Sequence, residues 1–248
     1  MITLPGDQIS IPSTSNYDKN KGINRVNDKF HAYSLGILSN TNDKMNDKMN
    51  DNEMEIDSNI NKKSNKNDKW FIKSNSRRYL PTTGDSIIGI ITNRGSENYR
   101  VDIGSSSTAT LDALAFEGAT KRTKPNLKVG CLIYARISLA HRDMETELEC
   151  LNPTTGKSEG FGELKSGIMI DNLSLNLCRS LLTPNSDILV SLMNNFTFPF
   201  ELATGLNGRI WINATTISQT IFVKRTIEKL DEEGIQSLTP EWFNEFDE

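Results

Sequence analysis

Between residues 84 and 151, apolar and polar residues alternate in short runs that turn residues separate. Alternation with a period of two is the pattern of a half-buried β-strand. Turn residues lie at 93–95 and 104–105, and a longer connection separates the third run from the fourth. Five strands joined in this way predict an OB-like barrel over residues 81–152, with strands at 86–92, 99–103, 108–111, 132–137 and 147–150.

After Gly160 the apolar spacing lengthens, and helical segments appear between short strands. The predicted order β-α-α-β-β-α is that of a KH domain, which we place at residues 160–234. The predicted elements are a strand at 167–170, helices at 173–182 and 188–194, strands at 198–203 and 209–213, and a helix at 215–232 that Asn213 or Thr215 caps and Gly234 ends.

The N-terminal part of the chain contains a polar insertion. Residues 40–69 hold nine Asn, five Asp, two Glu and six Lys and no aromatic residue. Such a composition cannot bury enough apolar surface to offset its ordering entropy, so we predict disorder there. The apolar segments around it, at 4–11, 30–38 and 70–72, predict one small β-domain over residues 1–80 that the insertion splits. The fold class expected for the whole chain is α+β and β-rich.

The charge of the chain changes along the sequence. The chain of 248 residues has a net charge of −4, but the charges are unevenly distributed. Residues 70–227 carry 17 basic and 14 acidic side chains, whereas residues 228–248 carry eight acids and one lysine, so we predict an acidic tail over residues 235–248.

The chain contains no long apolar run and begins without a secretory signal pattern, so we expect an intracellular protein that does not enter membranes.

The cysteines and histidines do not predict a metal site. Cys131, Cys150 and Cys178 are far apart and have apolar neighbours, and the two histidines, His31 and His141, stand alone. Zinc sites need paired ligands at short spacing. We expect the cysteines to be small buried hydrophobic residues, and we expect no metal and no cofactor.

Four segments of the sequence resemble a known family. They lie at residues 4–7, at 78–85 where the predicted barrel begins, at 116–125 in its long loop, and at 205–212 in the predicted KH domain. In combination they resemble the S1/KH-type cap subunits of the eukaryotic RNA exosome, and among these the exosome component 3 family. The resemblance covers the chain from Leu4 to about residue 230 apart from the insertion.

This resemblance implies a split N-terminal β-domain, an S1 barrel of the OB-fold type and a KH domain. It also implies a non-catalytic subunit that binds RNA, contacts the RNase PH-like ring subunits and other cap subunits of the exosome, and does not form a homo-oligomer. The expected locations are the nucleus, the nucleolus and the cytoplasm. Two alternatives stay open: a free-standing S1/KH RNA-binding regulator and, from another class, a hydrolytic ribonuclease.

The RNA-contact candidates are side chains of the predicted barrel. Lys121, Arg122 and Lys124 place three cations in the long loop, where OB folds meet single strands, although such clusters are often only solvated. Arg94 and Tyr99 flank the first hairpin, and Tyr99 can equally be a core residue. Arg142 lies in the turn before the last strand.

The predicted KH domain lacks the usual G-x-x-G clamp, because the connection at residues 183–187 contains no glycine. Gly205, Asn207 and Gly208 lie instead between two strands, where Asn-Gly is typical of a tight hairpin turn. We interpret these three residues as a structural turn with positive φ that packs against another domain.

No catalytic residue is predicted. Asp143, Glu145, Glu147 and Glu149 alternate along one strand, whereas nucleases with two metal ions need carboxylates from several elements. We expect a solvated strand edge.

Overall fold

The computed structural model describes residues 2–11, 16–17, 22–40, 69–74, 78–141, 143–183, 186–234 and 242. Two predicted segments lie outside the described residues: positions 41–68 of the insertion and, except for residue 242, the acidic tail at 235–248. The chain divides into two compact units, Met1–Asn75 and Ser76–Glu248.

The first unit consists of short strands in two sheets. One sheet has the order β1-β6-β7-β3, and the other has the order β2-β5-β4. The strands are β1 Ile2–Thr3, β2 Gln8–Ile9, β3 Asn16–Tyr17, β4 Ile23–Val26, β5 Lys29–Ala32, β6 Gly36–Asn40 and β7 Lys69–Lys73.

The segment predicted to return after the insertion lies in β7 and pairs antiparallel with β6, so that Leu38 faces Ile72 and Asn40 faces Trp70. The core of this unit consists of Ile9, Ile11, Ile23, Phe30, Ala32 and Ile72. Residues distant in sequence therefore share one apolar core on both sides of the insertion.

The second unit begins with a closed barrel, as the alternating pattern predicts. Its strand order is β8-β9-β10-β12-β11, and β11 pairs with both β8 and β12, which closes the barrel. This order is that of an OB fold. The strands are β8 Ser86–Arg94, β9 Asn98–Asp102, β10 Ala109–Phe116, β11 Leu132–Leu139 and β12 Glu147–Cys150.

An additional strand, β13 (Gly162–Leu164), pairs antiparallel with the first three residues of β11. The sequence pattern does not predict it, because three residues that begin with glycine are too short to show alternation. Inside the barrel, every second residue of β9 and of β11 up to Ile137 is buried, and β8 contributes Ile87 and Ile91 to the same core. Ile87, Val101, Ile133 and Ile137 have no exposed surface.

The rest of the second unit has the predicted order β-α-α-β-β-α. It consists of β14 Ile168–Ile170, α1 Leu175–Leu182, α2 Asp187–Asn195, β15 Phe200–Gly205, β16 Arg209–Ala214 and α3 Ile217–Glu233. The three strands form an antiparallel sheet in the order β14-β16-β15. One apolar core joins the sheet to the helices through residues such as Cys178, Leu192, Ile212, Val223 and Ile227.

Polar caps fix the helix starts. Ser174 and Ser186 accept hydrogen bonds from the amides of Leu177 and Leu189 and cap α1 and α2. The predicted cap of α3 at Asn213 or Thr215 is wrong. Thr216 is the N-cap, because Gln219 three residues later completes a capping box with it. Among the described residues, no helix combines the length and apolarity needed to cross a membrane.

Candidate nucleic-acid interface

The loop between β10 and β11, residues 117–131, is called the cationic loop here. Its tip is a β-turn in which the Thr123 amide donates to the Thr120 carbonyl oxygen over 3.1 Å. The two hydroxyl oxygens lie 2.7 Å apart, and each hydroxyl also accepts from the amide of the other threonine at 3.2 Å. Lys121 and Arg122 occupy the two central positions of this turn, and both are exposed. The threonine pair therefore fixes the backbone that carries two cations.

Two tethers connect the cationic loop to the first barrel hairpin. The Tyr99 hydroxyl of β9 donates to the Pro125 carbonyl oxygen over 2.6 Å. Lys124 donates from Nζ to the carbonyl oxygen of Ser96 at the hairpin tip. Behind these tethers, Leu127 is only 2% exposed and packs in the barrel core. The loop is long, but it is bound to the barrel at several points.

The base of the loop is fixed by Glu117. Its Oε2 accepts the Ser158 amide at 2.7 Å. The hydrogen bonds from Ser158 hold the pKa of Glu117 below its ordinary value, so this carboxylate is charged at neutral pH. Its charge lies at the base of the loop, and the cations lie at its tip.

Arg94 ends β8 on the same hairpin, opposite Tyr99 in register, and its side chain is exposed. Since Lys124 binds Ser96 in that hairpin, the structure brings Arg94 and the cationic loop to the same end of the barrel. Within the described part of the chain, the side chains of Arg94, Lys121 and Arg122 have no hydrogen bond or ion pair. These three cations are available to an anionic ligand.

The predicted RNA-contact residues differ in whether their side chains are available to RNA. Tyr99 is 3% exposed and belongs to the barrel core, so its ring is not available for stacking on a base. The alternative that Tyr99 is a core residue fits this burial, and the alternation of Tyr99, Val101 and Ile103 with polar residues is the signal for it. Lys124 is exposed but already bonded to Ser96. Arg142 lies outside the described residues.

The turn between β15 and β16 packs against the barrel, as the sequence predicts. Of Gly205, Asn207 and Gly208, only Gly208 has a positive φ, +75°. Gly205 is required for another reason, since a Cβ there would lie 2.8 Å from the Ile88 amide nitrogen. The positive φ expected of this turn therefore lies at Gly208.

Asn207 acts through its side chain, which is 8% exposed. Its Oδ1 accepts the Ile88 amide at 3.2 Å, and its Nδ2 donates to the carbonyl oxygens of Ile88 at 2.8 Å and Ile103 at 3.0 Å. The Leu206 amide donates to the Ser86 carbonyl oxygen at 2.8 Å. The turn thus supplies β8 with the hydrogen bonds that a neighbouring strand would otherwise provide.

Arg209 strengthens the same contact. Its guanidinium donates to the carbonyl oxygen of Asp102 at 2.8 Å and to the carboxylate of Asp102 at 2.6 Å. Partial burial alone would raise the pKa of Asp102, but the hydrogen bonds from Arg209 and the Gly104 amide outweigh it and hold this pKa below its ordinary value. The sequence does not reveal this ion pair, because its partners are 107 positions apart.

Two of the four acidic residues at and before β12, Glu145 and Glu149, are paired with arginines. Glu145 accepts from Arg100 at 2.8 Å and from Thr110 at 2.9 Å, and these hydrogen bonds lower its pKa. Glu149 accepts from Arg136 at 3.1 Å. In the described ranges, no three or more His, Cys, Asp or Glu side chains form a group that could hold a metal ion.

Comparison with known proteins identifies both domains of the second unit. Residues 79–162 match the family model described as exosome complex component RRP40, S1 domain, and residues 167–218 match a KH domain model. A solved structure assigned as an exosome complex RNA-binding protein superposes with a TM-score of 0.55 at 23% identity, covering 68% of this chain and 95% of that one. At this identity, the superposition shows the fold alone.

Curated relatives carry the same name across eukaryotes. The exosome complex component rrp40 of Schizosaccharomyces pombe is 50% identical over 169 residues, which cover 66% of this chain and 70% of that protein. The Saccharomyces cerevisiae protein is 38% identical over 71% of this chain and 74% of its own length. The human protein is 38% identical over 64% of this chain, and the match spans 57% of the human protein.

Proposed function

The chain belongs to the exosome complex component RRP40 family, and on this basis we propose that it is an RNA-binding exosome subunit that contacts RNA through the cationic loop. The observation that carries the RNA contact is the turn at Thr120–Thr123, which presents Lys121 and Arg122 without internal partners. Loops at one end of an OB barrel are where such folds meet single-stranded nucleic acid.

The chemistry of the loop fits a phosphate backbone better than a base. The two central side chains are cations on a fixed backbone, whereas the nearby aromatic ring of Tyr99 is buried. Cations that neutralise phosphates release counterions and bind every sequence similarly. The subunit therefore guides RNA without strong sequence preference.

We further propose that the subunit is non-catalytic, and the pairing of Glu145 and Glu149 with arginines supports this. It assembles with RNase PH-like ring subunits and other cap subunits rather than with copies of itself, and it acts in the nucleus, the nucleolus and the cytoplasm. Its membership of the exosome complex component RRP40 family supports the assembly with other exosome subunits.

A salt series of RNA affinity tests the RNA contact. In the full-length chain and in the exosome that contains it, Lys121→Glu with Arg122→Glu removes two cations. Each phosphate contact on a single strand contributes about 0.7 to the magnitude of the log–log salt slope, so this magnitude should decrease by about 1.4. The matched control, Lys165→Glu with Arg225→Glu, makes the same charge change in the KH domain and should leave the slope unchanged. An equal loss in both variants would contradict a specific role of the loop.

Purification of the tagged chain from its own cells tests the assembly. The proposal predicts RNase PH-like proteins in equal amounts with the chain. Recovery of the chain alone with bound RNA would favour a free-standing regulator. Degradation of RNA by the isolated chain, dependent on a divalent metal ion, would favour a ribonuclease.

A further inference from the structure

The cationic loop depends on a side chain that cannot reach RNA. Tyr99 is buried in the barrel, where it lies opposite Leu111 on one neighbouring strand and Arg94 on the other. Its hydroxyl reaches out of the core to the Pro125 carbonyl oxygen at 2.6 Å. Pro125 directly follows Lys124, so this hydrogen bond connects the rigid barrel to the segment that carries the cations.

The remaining contacts extend this anchor to the tip of the loop. Lys124, next to Pro125, is bonded to Ser96 of the hairpin, and Thr123 is bonded to Thr120 across the turn. The anchored segment is therefore continuous from Pro125 to Thr120, with only Lys121 and Arg122 projecting from it. A loop that already holds its bound geometry loses less conformational entropy when its ligand arrives.

We propose that Tyr99 is a positioning residue for RNA binding, and that Lys124 shares this task through Ser96 while Lys121 and Arg122 contact the phosphates. The inference rests on the proposed function and assigns different roles to four residues, two that position the loop and two that contact phosphates. It predicts that loss of the Tyr99 hydroxyl weakens RNA binding without removing any ionic contact.

The test is Tyr99→Phe in the full-length chain, which removes one oxygen atom and keeps the ring in the core. Tyr79→Phe is the matched control, because Tyr79 is also buried in this barrel core and its hydroxyl donates to Asp85 at 2.9 Å. Brief trypsin digestion under native conditions reports loop order, since trypsin cleaves after Lys121 and Arg122, whereas the bond between Lys124 and Pro125 resists it. RNA affinity over a salt series is measured on the same samples, well below the melting temperature.

For Tyr99→Phe, we expect several-fold faster cleavage in the loop and roughly 3- to 10-fold weaker RNA binding at every salt concentration, with the wild-type salt slope. Tyr79→Phe should change neither cleavage nor affinity, even where it lowers the melting temperature. A merely structural role of Tyr99 would lower the melting temperature and leave loop cleavage and affinity at wild-type values, which would overturn the inference.

Two single neutral variants separate the cations. Arg122→Gln should lower the salt slope by about 0.7, whereas Lys124→Gln should weaken binding and keep the slope. If both variants lower the slope equally, Lys124 is a phosphate contact and its positioning role is wrong. If the Lys121/Arg122 double reversal lowers the slope but Tyr99→Phe behaves as wild type, the proposed function stands and the positioning inference fails. If the double reversal has no effect, both fail.

Discussion

Asn207 offers the strongest test of how the KH domain is joined to the barrel. Its carboxamide makes three hydrogen bonds to backbone groups of Ile88 and Ile103 in a buried site. A typical hydrogen bond contributes about 1 kcal/mol net, and a buried donor left without a partner costs about 1–3 kcal/mol. We therefore expect Asn207→Ala to lower the free energy of unfolding of the second unit by about 3 kcal/mol.

The assay is urea and thermal unfolding of the full-length chain, followed by tryptophan fluorescence, with Trp211 on the adjacent strand β16 as a reporter. For a unit of this size, 1 kcal/mol corresponds to a shift of about 2–4 °C, so the melting temperature should fall by roughly 6–12 °C. Asn213→Ala is the matched control, since the Asn213 amide makes one exposed hydrogen bond to Glu201. It should stay within about 0.5 kcal/mol of the wild type.

Asn207→Asp separates hydrogen bonding from packing, because aspartate has nearly the same shape but places an oxygen against the carbonyl oxygens of Ile88 and Ile103. It should destabilise the unit at least as much as alanine at neutral pH. If both Asn207 variants unfold within about 0.5 kcal/mol of the wild type, the turn does not hold the KH domain to the barrel in the way described.

Three further predictions follow from the same contacts. Gly208→Ala should lower the free energy of unfolding in urea more than the control Gly156→Ala. Both glycines have positive φ, +75° and +68°, but of the two only Gly208 would place a Cβ 2.8 Å from a backbone oxygen, that of Leu173. Equal losses would contradict the close packing. Replacement of residues 41–68 by a short Gly/Ser turn should leave the melting temperature nearly unchanged, because Asn40 and Trp70 are paired across β6 and β7 and shortening a loop changes its closure entropy little; loss of folded protein would contradict this. Because the fold lowers the pKa of Asp102, this residue adds stability above its ordinary pKa of 3.8, and that stability is lost as the pH falls through the lower pKa of the folded state. Asp102→Asn should therefore weaken the loss of stability at acidic pH measured by urea unfolding, and an unchanged loss would argue against the Arg209 pair.

The sequence predicts the barrel well, because its signal is local. Residues 132–137 alternate between partly exposed and buried positions, as the pattern predicts, whereas in β8 the three consecutive residues Ile87, Ile88 and Gly89 are all buried. Strand β10 extends to Phe116, beyond the predicted end at residue 111. The sequence pattern does not show this extension, because Leu114 is apolar although it is exposed. Helix ends are predicted to within about two residues, and the shift at α3 follows from a capping box.

The site is less predictable, because its contacts are long-range. The cations at 121, 122 and 124 are visible in the sequence, but the bonds of Lys124 to Ser96 and of Tyr99 to Pro125 join residues 28 and 26 positions apart. Asn207 shows the local signature of a turn, whereas its partner Ile88 is 119 positions away. Residue type therefore reveals that these side chains are polar, and only the fold reveals which of them are already occupied.

Photo-cross-linking of a uridine-rich single-stranded RNA to the purified exosome that contains this chain shows whether RNA contacts the cationic loop. Cross-linked peptides are then identified by mass spectrometry. We expect the cross-links in this chain to concentrate in the cationic loop, residues 117–131, and in the adjacent hairpin around Arg94. They should decrease when Lys121 and Arg122 are both changed to Glu. Cross-links concentrated in helices α1 and α2 of the KH domain, and unaffected by that double substitution, would contradict this expectation.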